Sequence, residues 1–152
     1  MPLTNPQYTQ SPDALPANTN GTAMTAPIEN GPEARIRAIR LYNLPDGGCT
    51  FEAGTIVNRI TIPSKGFFAH THIDPYQKIA HPAPRKQFVV TLKGRLEFKV
   101  TNGDTFIIEP GILLIAEDTL GTGHTWRILD GDTWERLYVP LADDNESFFI
   151  KE

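Results

Sequence analysis

The sequence predicts a single all-β domain, a sandwich or a barrel, behind an N-terminal tail with no core of its own. Three observations carry that prediction. Residues 95–101 (RLEFKVT) alternate polar and apolar without a break, placing Leu96, Phe98 and Val100 on one face and Arg95, Glu97 and Lys99 on the other, as in a half-buried strand. Short runs rich in branched and aromatic residues recur along the chain, each closed by Gly, Asn, Asp or Pro. The composition also changes in kind after residue 32.

Taken in order, residues 1–32 hold six of the 13 prolines, five Thr, four Asn and no Lys or Arg, with no periodic apolar pattern. Such a stretch buries too little surface to offset its ordering entropy and is expected to be disordered. It lacks the basic start and apolar run of a secretory signal and the Arg of a mitochondrial presequence, so the cytoplasm is the expected compartment. Met24 offers a second start, in which case residues 1–23 would be an extension that N-terminal sequencing of the native protein would show missing. The domain proper is residues 33–152. Residues 33–42 tempt a helical reading, but Ile36, Ile39 and Leu41 make no helical stripe. Strands are expected at 55–62, 87–92, 95–101, 105–108, 112–116, 124–129 and 133–139. Turns are expected at Asp46-Gly47-Gly48, Lys93-Gly94, Asn102-Gly103-Asp104, Pro110-Gly111, Gly121-Thr122-Gly123 and Asp130-Gly131-Asp132. About ten short strands at this spacing mean a sandwich or barrel.

Composition narrows the chemistry. The 152 residues carry 14 Lys+Arg against 18 Asp+Glu, a net charge of -4, with no basic cluster, so no nucleic-acid partner is expected. The longest apolar runs, such as residues 111–116, fall far short of the ~20 residues of a bilayer-spanning helix, so no membrane association is expected. Cys49, the one cysteine, can form neither an internal disulfide nor a thiolate zinc cage. The four histidines, His70, His72, His81 and His124, are left as the hint of chemistry.

The stretch HPAPRKQFVVTLKG (81–94), followed by RLEFKVTNGDTFIIEPGILLIAEDTLGTGHTW (95–126), resembles the two-motif core of the small single-domain cupins. The resemblance covers roughly residues 50–140, because Gly94, Gly103, Pro110-Gly111 and His124 follow in the family's order. It implies a cupin jelly-roll β-barrel, a homodimer formed through edge strands, and a small-molecule pocket inside the barrel. It also implies one divalent metal (Fe, Mn, Ni or Zn) held by a His-x-His pair, a Glu and a last His. Gln87 stands where the family has its Glu, and the pair has two competing placements. One uses His81, with Ala83 where its second His would fall; the other uses His70 and His72, with residues 73–85 as an insertion.

The two placements imply different chemistry. Convergence of His70, His72, Gln87 and His124 would give a near-complete metal site. Convergence of His81, Gln87 and His124 would leave metal binding weak or absent, with histidine as acid or base and Arg85 clamping a carboxylate or enolate oxygen. His72, Arg85 and His124 are the candidate catalytic residues. Simpler roles stand beside these: His124 as a core residue on the Trp126 and Ile128 face, His70 and His72 as loop residues, and Arg85 with Lys86 as a solvated rim. Glu117 and Asp118 read as an ordinary acidic turn. The expected function is a cupin-type enzyme doing lyase, isomerase or oxygenase chemistry on an oxygen-rich or carboxylated metabolite. The alternative is a metal-free binding or sensing module.

Overall fold

The computed structural model describes residues 34–142 and 146–152. The predicted tail lies outside them; Arg35–Glu152 make up one unit. Ten strands are formed: β1 (Arg37–Asn43), β2 (Cys49–Ile56), β3 (Phe68–His70), β4 (Gln87–Lys93), β5 (Leu96–Lys99), β6 (Thr105–Ile108), β7 (Ile112–Ala116), β8 (Thr125–Ile128), β9 (Glu135–Pro140) and β10 (Phe149–Lys151). A 3-10 turn, Pro75–Lys78, precedes β4. The chain is all-β, as predicted. The strands form two sheets, one of seven in the order β10-β2-β1-β7-β4-β9-β3 and one of three in the order β6-β5-β8, and not a closed barrel. Within each sheet the pairs are antiparallel, apart from the parallel pair of β1 with β7.

Alternation builds the core. Ile39 and Leu41 of β1, Val89 of β4, Leu114 of β7 and Tyr138 of β9 face inward from the large sheet. They meet Leu96, Phe98, Phe106 and Ile108 from the small one. The residues one position along, Ala38, Phe88 and Ile115, point the other way into a second cluster covered by Leu141, Ile62 and Phe149. The central strands of the large sheet are therefore buried on both faces. That is why residues 33–42 show no clean period: β1 carries consecutive buried residues, Ala38 and Ile39.

One expectation is corrected at the sheet's margin. The strand expected at 55–62 is instead Cys49–Ile56, and residues 57–63 form no strand. Gly54 permits this placement, since a Cβ there would overlap the Ile150 carbonyl of β10. The branched residues Ile60, Thr61 and Ile62 have strand propensity but join no ladder, and Ile62 packs against the second cluster instead. Strands 105–108 and 112–116 fall where the runs of branched residues put them. Among the described residues no helix is long and apolar enough to cross a membrane.

Candidate functional site

A cavity of about 290 Å³ opens between the sheets at the end where β4 and β7 meet the entry to β8. Its inner wall is aromatic, formed by Phe98, Trp126, Trp134 and Tyr138. The Trp126 and Trp134 rings meet edge to face at 4.9 Å, and Trp134 donates its indole N–H to the Thr91 hydroxyl at 3.0 Å. Polar groups sit at its other side: His81, Gln87, His124 and, toward the rim, Arg85 and His70.

The chain reaches this geometry through one tight crossing. Residues 117–123 leave β7 and fold back toward β8, held by the Asn43 side chain, which donates to the Leu120 carbonyl at 2.9 Å and accepts from its N–H at 3.0 Å. The Ala83 N–H donates to the Asp118 carbonyl at 3.0 Å. His81 and His124 pair backbone to backbone in both directions, at 3.0 and 3.1 Å. Gly123 makes that pairing possible: its φ is +76°, and a Cβ there would overlap the His81 carbonyl.

The crossing buries an acid against a histidine. Asp118 is fully buried, and its Oδ2 lies 2.6 Å from His124 Nδ1. A carboxylate oxygen only accepts, so in the neutral ring Nδ1 carries the proton and Nε2 keeps its lone pair for the cavity that His124 lines. The Cys49 thiol donates to the same Asp118 oxygen at 3.4 Å. Burial pushes the Cys49 thiol far above its ordinary range, and the Asp118 charge and hydrogen bond add to the effect, so its proton stays on sulfur. The reading of Asp118 as part of an ordinary acidic turn is thus overturned, while its neighbour Glu117 turns outward to Arg40 at 3.1 Å. Neither Asp118 nor Cys49 stood out in the sequence; their approach to His124 is made by the return of the chain, which local patterns do not report.

The structure brings together His81, Gln87 and His124. The His81 and His124 rings lie 4.9 Å apart. His81 Nδ1 donates to the Ile79 carbonyl at 2.8 Å, which leaves its Nε2 as the acceptor. Burial lowers the His81 pKa; the Ile79 hydrogen bond opposes this, and the neighbouring His124 reinforces it. Arg85 donates to Gln87 Oε1 at 3.3 Å, so the Gln87 amide NH₂ is the end offered to a ligand.

His70 and His72 do not join this group. Each approaches a different oxygen of Asp74, at 3.6 and 3.5 Å, and the His72 side chain is 73% exposed. His70 reaches the cavity rim; His72 is not among the lining residues. Among the described residues, the His/Cys/Asp/Glu group whose ligating atoms all lie within 4.8 Å is Cys49, Asp118 and His124, a different set from the one the sequence suggested. This buried group could hold a metal ion. Asp118 Oδ1 has no hydrogen-bond partner among the described residues, which leaves one carboxylate oxygen free to take an ion. No family model, curated protein or solved structure matches the chain.

Proposed function

We propose that the chain is a small cupin, a jelly roll built from the two sheets described above, and that its cavity carries out metal-independent acid–base chemistry on a small oxygenated metabolite, an isomerisation or elimination begun by removing a proton next to a carbonyl. One observation carries this reading: Asp118 sets the tautomer of His124 at 2.6 Å, and His124 lines the cavity. In this scheme His124 Nε2 takes the proton from the substrate carbon, and Asp118 stabilises the imidazolium that forms. The electron pair released moves onto the carbonyl oxygen, held by the Gln87 NH₂ and by Arg85 at the rim. Return of the proton to the former carbonyl carbon, as the neighbouring hydroxyl gives up its proton and becomes the new carbonyl, completes an isomerisation; departure of a leaving group from the β carbon completes an elimination. Support for the cupin assignment comes from the order of motifs, the facing sheets and the His81 and His124 pairing. The cytoplasm and a homodimer remain part of the proposal.

The test is proton exchange. Full-length protein, stripped of metal and verified by metal analysis, is incubated in deuterium oxide with a panel of 2-oxo acids and keto sugars. Deuterium uptake at the α carbon is read by NMR. Uptake with at least one class is expected, falling roughly 10²–10⁴-fold in His124→Gln. Uptake that never exceeds the buffer rate, or that needs added metal, overturns the proposal.

A second reading rests on the unpartnered Asp118 Oδ1: a divalent ion held by Cys49, Asp118 and His124. The sulfur, nitrogen and oxygen donors suit zinc better than iron or manganese. The 2.6 Å contact is a hydrogen bond, shorter than the spacing of two ligands around one ion, so the loop must relax to accept it. Zinc co-purifying in equimolar amount with wild type and lost in Cys49→Ser would favour this reading over the first.

A further inference from the structure

Among the described residues, Arg136 is a buried cation without a counterion. It is 1% exposed, and its guanidinium lies over the Trp134 ring at 4.2 Å. Its hydrogen bonds all go to neutral acceptors: the Tyr138 hydroxyl at 2.9 Å, the Trp134 carbonyl at 2.9 Å, the His72 carbonyl at 3.0 Å and Gln77 Oε1 at 3.3 Å. Burying a charge without an opposite one is costly, and such a site favours any anion that reaches it.

The hydrogen bonds show where that anion would sit. Gln77 Oε1 accepts from Arg136 and from the Asp74 N–H at 2.9 Å, which fixes the orientation of the amide. The Gln77 NH₂ therefore faces the Tyr138 oxygen at 3.4 Å and can only donate to it. Tyr138 thus accepts two hydrogen bonds, from Arg136 and from Gln77, and its own O–H has no acceptor among the described residues. Tyr138 and Gln77 both line the cavity.

We infer that the Tyr138 hydroxyl, with the Arg136 charge behind it, is a receptor for an anionic oxygen, so that the cavity takes an organic carboxylate or enolate rather than a neutral molecule. The inference rests on the cavity being a small-molecule site, as proposed above, and it names the substrate class. The anion accepts the Tyr138 hydrogen and places the missing negative charge one residue from the guanidinium. Tyr138 is the binding residue; Arg136 positions and polarises it. The aromatic wall of Phe98, Trp126 and Trp134 would cover the flat body of such a ligand.

The experiment uses the full chain, with benzoate and its neutral twin benzamide as probes, read by the fluorescence of Trp126 and Trp134. Wild type is expected to bind benzoate about tenfold or more tightly than benzamide. Tyr138→Phe should lose that preference while still binding benzamide. Gln77→Glu supplies Arg136 with a carboxylate and Tyr138 with an acceptor; it is expected to keep or gain thermal stability and to lose the preference. The inference is overturned by equal affinity of wild type for the two probes, or by binding of neither below about 10 mM. It is equally overturned if Tyr138→Phe or Gln77→Glu keeps the preference. His124→Gln separates this from the acid–base proposal: it should stop proton exchange but leave the benzoate preference intact.

Discussion

At the scale of single residues, Asp118 decides what His124 can do. Its carboxylate is fully buried and shared between the imidazole N–H and the Cys49 thiol, so removing its charge changes both partners. Asp118→Ala leaves two buried donors unpaired and is expected to lower stability by about 2–5 kcal/mol in chemical denaturation. Cys49 is buried and protonated, so an alkylating reagent followed by mass spectrometry should modify it only after unfolding; rapid labelling of the native protein would contradict that environment. His81 contributes a part of the pH dependence near neutrality. Its folded pKa lies below the ordinary value of 6.5, so between the two values the unfolded chain binds more protons. Its contribution is therefore fully present above about 6.5 and is lost as pH falls through the lower folded value. His81→Asn is expected to flatten this part of the acid limb in a series of denaturation curves, and an unchanged limb would show that His81 does not titrate differently on folding.

At the scale of elements, glycines hold the strands and loops in contact. Gly123→Ala adds a methyl group where the His81 carbonyl already sits, at a φ that side chains avoid. It is expected to cost more than about 2 kcal/mol and to separate His81 from His124; a melting temperature within a degree of wild type would contradict the crossing described. The strands themselves were largely legible. Leu96, Phe98 and Val100 alternate into the core as their spacing requires, because β5 has one wet face and one dry one. β1 was ambiguous because it is buried on both faces and alternation carries no signal there. Ile60 to Ile62 misled because propensity says what fits a sheet and not whether the segment joins a ladder.

At the scale of the molecule, two sheets meet around a cavity whose chemistry comes from separate parts of the chain: the start of β2, the loop after β7, the entry to β8 and the inner face of β9. The sequence placed His124 and Trp126 on one face and drew attention to Gln87 and Arg85, because those positions follow local spacing. It missed Asp118, Cys49, Tyr138 and Arg136, whose roles depend on contacts across the fold. His124 and Asp118 are only six residues apart, yet nothing in their spacing says that the loop between them turns the acid inward. The chemistry of the whole site rests on that turn.

The most direct measurement is a long-range proton–nitrogen NMR spectrum of histidine-labelled protein at a pH where the His124 ring is neutral. The account expects His124 to carry its proton on Nδ1 with a bare Nε2, and expects that preference to weaken in Asp118→Asn. A proton on Nε2 in the wild type, or a nitrogen shift showing metal at either position in the protein as purified, would contradict it.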